Sequence, residues 1–155
     1  MGTEEFSLSF VSVAPPEKVF ALLADGAHWA DWAGPVIPAS RWERKGTPPP
    51  GGAGAIRALG TFPFVTMEEV LEHDPPRRHV YAIVSGLPVR DYRAVVELGL
   101  TAEGGTRVDW SVGFTPRIPG TGRLITALCR FVVTKLGNRL VTAAAHHPGP
   151  RGYYG

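Results

Sequence analysis

The chain has 155 residues, of which 44% are hydrophobic and 19% charged, and its formal net charge is +2. A chain of this length is most simply one domain that buries enough surface for a sizeable core. The small net charge, spread among interspersed acids and bases, argues against a nucleic-acid-binding surface. The single cysteine, Cys129, excludes an internal disulfide framework, and its apolar surroundings predict a buried, unreactive thiol.

No apolar run reaches the roughly 18 residues that a membrane span requires, and no basic segment precedes an apolar core at the start. We therefore expect no membrane span and a cytoplasmic location. The five histidines form no cluster with acidic residues, so we expect neither a metal site nor a cofactor. The Gly52-x-Gly54 pair lacks the third glycine and the following helix of a dinucleotide-binding fingerprint.

In chain order, alternating apolar and polar residues predict a first strand over residues 6–13. Two prolines and Glu17 then predict the start of a short helix, and a second short helix is predicted near residues 28–32. Six further strands are predicted at 39–44, 53–60, 64–73, 78–85, 91–102 and 106–115, with turns rich in proline and glycine between them. A long helix is predicted over about 121–145, followed by a flexible tail at 146–155.

Strands joined by short turns pair antiparallel, and their common apolar face must be covered by the long helix. This order of elements predicts an α+β fold in a single domain over residues 1–145. A seven-stranded antiparallel sheet would curve around the C-terminal helix, and two short helices would follow the first strand.

Five local motifs resemble the START-related helix-grip (SRPBCC) superfamily, and in particular its bacterial polyketide cyclase/dehydrase-like branch. The motifs are the start at Ala14-Pro15-Pro16-Glu17-Lys18-Val19-Phe20, the Asp25 to Trp32 spacing, Gly52-Ala53-Gly54-Ala55-Ile56-Arg57, the segment from Glu69 to Arg78, and Gly104-Gly105-Thr106-Arg107-Val108. The resemblance covers about residues 6–145 and implies a helix-grip fold with an internal hydrophobic cavity. The same fold serves carriers, receptors and enzymes, so it leaves the function open.

Residues that alternate along four strands form the predicted lining of this cavity, together with Arg57 on the strand before them and two residues of the long helix. The predicted ligand-binding residues are Arg57, Met67, Glu69, Tyr81, Ile83, Ser85, Tyr92, Ala94, Trp110, Val112, Leu128 and Val132. The alternative is a solid core in which the tyrosines bond to the backbone or to each other. Trp29, Trp32 and Ile37 are expected to cap the end of the sheet, and His79 is expected to point outward.

Arg57 alternates with Leu59, on the face that the resemblance places toward the cavity. A turn near residues 61–63 would bring Arg57 opposite Thr66 or Met67, with Glu69 on the diagonal. A buried guanidinium without a partner is costly, so Arg57 needs a carboxylate or an anionic group of a ligand. A structural Arg57–Glu69 pair and direct recognition of a ligand both remain open.

The predicted function is the binding of a small hydrophobic molecule, such as a transported lipid, by a monomer or weak homodimer. The alternative is a polyketide cyclase/dehydratase-like enzyme that would use Arg57, Glu69, Tyr81 and Tyr92 for acid–base chemistry. A third alternative is a regulatory module that binds another protein through aromatic surface near Trp29. The sequence does not decide whether the protein is an enzyme.

Overall fold

The computed structural model describes residues 2–146, in which seven strands form one antiparallel sheet. The strands are β1 (Glu4–Ser12), β2 (Ser40–Arg44), β3 (Ile56–Thr61), β4 (Phe64–Asp74), β5 (Arg78–Ser85), β6 (Val89–Leu100) and β7 (Thr106–Pro116), and the helices are α1 (Pro16–Ala24), α2 (Trp29–Ala33) and α3 (Gly122–His146). The order across the sheet is β1-β7-β6-β5-β4-β3-β2. This architecture confirms the predicted α+β fold. Apart from His146, which ends α3, the predicted tail lies outside the described residues.

The two short helices pack against the long one. Pro16 occupies the first turn of α1, where its missing N–H costs nothing, and Glu17 follows near the positive end of the helix dipole. Val19, Phe20 and Leu23 form the buried face of α1. A single turn of 3-10 helix, Gly26–His28, leads into α2. Both α1 and α2 contact α3, and the 3-10 turn between them contacts β2.

The long helix α3 lies against β1 and β7. Its buried face repeats at helical spacing and includes Ile125, Cys129, Val133, Leu136 and Leu140. Helix and strand approach closely at Gly137, because a Cβ atom there would collide with the ring of Phe10. The glycine therefore sets how near α3 lies to the sheet.

The β3–β4 hairpin has a different register from the predicted one. Thr61 pairs with Phe64 across a two-residue turn, and this places Arg57 directly opposite Glu68. Residues 64–71 are apolar at both odd and even positions, so alternation alone could not decide which face of β4 is buried. A one-residue slip moves every side chain of a strand to the other face.

No helix among residues 2–146 is both long and apolar enough to cross a membrane.

Candidate functional site

A cavity of about 380 Å³ lies between the sheet, α3 and the segment that connects α1 to β2. Its lining is mostly apolar. The lining residues are Trp29, Val36, Ile37, Pro38, Leu59, Gly60, Thr61, Phe64, Thr66, Glu68, Tyr81, Ile83, Leu87, Tyr92, Leu128, Cys129, Val132, Val133 and Leu136. An apolar wall with a few placed polar groups is the usual character of a site for a small organic molecule.

Exposed lining residues mark the mouth of the cavity. Phe64 in the β3–β4 hairpin is 86% exposed, and Leu128 on α3 is 52% exposed. Leu87, in the turn between β5 and β6, also lines the cavity. That turn begins at Gly86, whose φ of +105° and close approach to the Val65 carbonyl both favour glycine. The mouth therefore lies between two hairpin turns and α3.

The structure brings five of the predicted ligand-binding residues into the cavity wall. They are Tyr81 and Ile83 on β5, Tyr92 on β6, and Leu128 and Val132 on α3. The tyrosines are 2% and 5% exposed, so both are buried within the cavity wall.

The other seven predicted residues do not line the cavity. Ala94, Trp110 and Val112 belong to the solid core on β6 and β7. Ser85 is exposed, Met67 is half-buried, Glu69 pairs with a surface arginine, and Arg57 lies behind the wall. The shift of register in β4 accounts for two of these differences, since Thr66 and Glu68 take the inward positions instead of Met67 and Glu69.

Arg57 is fully buried and is paired with Glu68. Its Nε donates to Glu68 Oε1 over 2.9 Å, and its Nη1 lies 3.4 Å from the Leu23 carbonyl oxygen. The guanidinium carbon is 3.9 Å from the centre of the Trp29 ring and 4.6 Å from that of Tyr81. Two cation–π contacts and a short ion pair thus hold the cation in place.

The expected Arg57–Glu69 pair is therefore wrong. Glu69 points to the other face of β4, where its Oε2 lies 3.2 Å from Arg44 Nη2 in a largely exposed ion pair. Of the two neighbouring carboxylates, one therefore pairs with Arg57 and the other with Arg44. The buried one is Glu68, directly across the hairpin, and the exposed one is Glu69.

The expectation that His79 points outward is also wrong, because residues 79 and 81 are two apart on one strand and share a face. His79 is fully buried, and its Nε2 lies 3.5 Å from Arg57 Nη1. Its ring packs against those of Phe20 and His73. Burial, followed by the charge of Arg57, holds the pKa of His79 well below its ordinary value, so the imidazole is neutral.

Glu68 is the acidic group of the cavity. Its residue is 6% exposed, and burial raises the pKa of its carboxyl, while the charge and hydrogen bond of Arg57 counteract that rise. A carboxyl with a raised pKa beside a cavity can accept a hydrogen bond or exchange a proton with a bound molecule.

The remaining titratable groups of the wall stay protonated at neutral pH. Burial raises the pKa of Tyr81 and of Tyr92 well above that of an ordinary phenol. Burial also raises the pKa of the Cys129 thiol to about 11, in keeping with the predicted unreactive cysteine. The tyrosines can thus donate hydrogen bonds but supply no phenolate base.

Sequence reasoning missed several lining residues. Trp29 and Ile37 were expected to cap the sheet, yet both line the cavity, and Trp32 does not. The Trp29 indole N–H donates to the Leu23 carbonyl over 2.8 Å, which turns its ring under Arg57. Glu68 takes the inward position that the predicted register gives to Glu69. The two-residue turn at Phe62 and Pro63 sets this register, and neither residue is of a type that marks such a turn in a sequence.

Solved structures share this fold at low sequence identity. A protein named XoxI from Bacillus cereus has a TM-score of 0.72 at 22% identity, with 94% of this chain and 97% of that chain covered. A protein from Nitrosospira multiformis has a TM-score of 0.69 at 18% identity, covering 88% and 96%. The crystal structure of Ara h 8.0201 has a TM-score of 0.66 at 16% identity, covering 91% and 99%. Among curated proteins, none matches the chain.

A family model described as "Polyketide cyclase / dehydrase and lipid transport" matches residues 3–145. The match spans the whole sheet and nearly all of α3, so it includes every element that builds the cavity. It agrees with the resemblance of the sequence motifs to the START-related superfamily and with the observed fold. The chain belongs to the polyketide cyclase / dehydrase and lipid transport family.

Proposed function

We propose that the protein binds one small hydrophobic molecule in the cavity under α3. The observation that carries the proposal is the cavity itself, about 380 Å³ in volume, mostly apolar, and furnished with one carboxyl and two phenols. Sites for small organic ligands commonly have volumes of roughly 300–1,000 Å³ and this mixture of groups. Lipid transport in the family description supports the carriage of such a molecule.

The mouth of the cavity offers a matched pair of variants for a binding test. Leu128 and Phe131 are both on α3 and are 52% and 59% exposed, but only Leu128 lines the cavity. N-phenyl-1-naphthylamine is an uncharged probe whose fluorescence rises in apolar surroundings. We expect it to bind the native protein saturably, with one molecule per chain.

Leu128→Asp should weaken binding of the probe by about tenfold or more, because it places a charge at the apolar entrance. Phe131→Asp should leave the affinity unchanged. Binding that does not saturate, or equal losses in the two variants, would contradict the proposal.

A cyclase or dehydratase reaction on a bound poly-β-keto chain is the second candidate, and Glu68 favours it. A carboxyl with a raised pKa in a cavity is suited to proton transfer, which contributes typically 10²–10⁴-fold to a rate. The test is to offer poly-β-keto analogues and to follow products by chromatography. A product that the wild type forms and Glu68→Gln does not form would support an enzyme, whereas no product from the wild type would exclude these substrates.

A further inference from the structure

The charged side chain in the cavity wall is acidic. Among the lining residues within 2–146, Glu68 alone has a side chain that is charged in its ordinary state at neutral pH. Arg57, which the sequence offered as the recognition residue for an anion, does not line the cavity and is fully buried behind it. The charged group that a molecule in the cavity can contact is therefore the Glu68 carboxyl.

The arrangement leaves one side of that carboxyl for a ligand. Arg57 Nε donates a hydrogen bond to Glu68 Oε1, and among residues 2–146 no hydrogen bond reaches Glu68 Oε2. The guanidinium is fixed on the far side of the pair, between the Trp29 and Tyr81 rings. A buried carboxylate oxygen is stabilised by a hydrogen-bond donor, and an added negative charge beside it is repelled.

The polar groups beside Glu68 suit a ligand whose polar end is neutral or positively charged. Tyr81 and Tyr92 line the same cavity and keep their phenolic protons. They can donate to an oxygen of the ligand while Glu68 accepts from it. A hydroxyl or an ammonium group matches this set, whereas a carboxylate would meet Glu68 at short range.

We propose that Glu68 selects hydrophobic ligands whose polar end carries a hydrogen-bond donor, a hydroxyl or an amine, and disfavours ligands that end in an anion. The proposal rests on the proposed function, since it assigns the class of molecule that the same cavity takes.

Four naphthalenes of nearly equal size test it, with a 2-hydroxymethyl, 2-aminomethyl, 2-carboxylate or 2-ethyl group. Each competes with N-phenyl-1-naphthylamine for the intact protein. In the wild type the alcohol and the amine should displace the probe at concentrations at least about tenfold below that of the carboxylate. The ethyl compound reports the apolar contribution alone.

Glu68→Gln is the decisive variant. It should weaken the amine relative to the ethyl compound by about tenfold or more and should strengthen the carboxylate by a similar factor, because Arg57 then lacks its counter-charge. Glu69→Gln is the matched control, the same chemical change one residue further along β4 on the other face. It should leave all four affinities unchanged.

Glu68→Gln leaves the buried Arg57 guanidinium without its partner, and the protein could then fail to fold. In that case the double variant Arg57→Gln/Glu68→Gln replaces it in the test. The double variant should also lose the preference for the amine. Two results would overturn the inference. The first is that the carboxylate binds most tightly to the wild type, and the second is that the order of the four affinities is the same in Glu68→Gln and in the double variant as in the wild type. Either result would still show that the cavity binds small molecules. If neither the probe nor any naphthalene binds, the proposed function itself fails.

Discussion

Arg57 and Glu68 face each other across the β3–β4 hairpin, with 2.9 Å between Nε and Oε1, and the arginine is fully buried. The acid end of this pair reaches the cavity, and the basic end is held between two aromatic rings. The pair thus supplies a carboxyl group to a mostly apolar wall, and the guanidinium compensates part of its charge.

Replacing Arg57 alone, without a change at Glu68, should strongly destabilise the protein. Arg57→Met leaves the Glu68 carboxyl buried without a partner, which typically costs about 3–5 kcal/mol. Adding Glu68→Leu should recover much of that loss, since an apolar pair of similar volume avoids the unpaired charge. Urea denaturation of the wild type, the single variant and the double variant measures the free energies of unfolding.

The exposed pair on the other face of β4 is the control. Arg44 and Glu69 are 57% and 32% exposed at their side chains, so Arg44→Met should cost at most about 1 kcal/mol. Equal losses for Arg57→Met and Arg44→Met would contradict the structural role given to the buried pair.

Stability should fall as the pH drops below about 6.5, the ordinary pKa of histidine in an unfolded chain. The pKa of His79 is well below that value in the folded protein, so the unfolded chain binds more protons in this range. The contribution of one such group has a slope of up to about 1.4 kcal/mol per pH unit. Urea denaturation at pH steps from 7 to 5 should show this decline, and His79→Gln should make it shallower.

His28 contributes to the pH dependence of stability with the opposite sign. The Asp25 carboxylate raises the pKa of this exposed histidine, so its contribution is present below the unfolded pKa and is lost as the pH rises through the folded one. His28→Gln should therefore steepen the acid decline. An identical pH slope for the wild type and His79→Gln would show that His79 is not held neutral.

The alkylation rate of Cys129 tests whether its thiol lies in the cavity wall. The pKa of Cys129 is raised from 9.0 to about 11, which lowers its thiolate fraction at pH 8 by about 100-fold. Alkylation by iodoacetamide should be slower by at least that factor in the native protein than in urea. Saturating N-phenyl-1-naphthylamine should slow it further, because Cys129 lines the cavity. Native alkylation at the rate of the unfolded chain would contradict this placement.

The fold could be predicted because its signals are local and agree with one another. Proline and glycine punctuate every strand, and the apolar spacing of residues 121–145 identifies α3 correctly to within two residues. Helix α1 begins where Pro16 and Glu17 favour helix initiation. Each of these features depends on neighbours in the chain and needs no knowledge of distant contacts.

Alternation along a strand predicts which face is buried, but not how much of that face the cavity reaches. Tyr81 and Ile83 on β5 line the cavity as expected, whereas Ser85 on the same strand is exposed and Ala94 on β6 lies in the solid core. On β4 both faces carry apolar residues, so the choice between Glu68 and Glu69 depended on the hairpin register. The cytoplasmic location and the monomeric or weakly dimeric state stay predictions.

The position of a bound ligand tests most directly whether the cavity is a binding site. Crystals grown with 2-bromonaphthalene allow the bromine to be located from its anomalous scattering. We expect one principal peak inside the cavity, in the space bounded by the Trp29 and Tyr81 rings and by the inner face of α3. Bromine only on the outer surface, or an empty cavity in crystals saturated with the compound, would contradict this expectation.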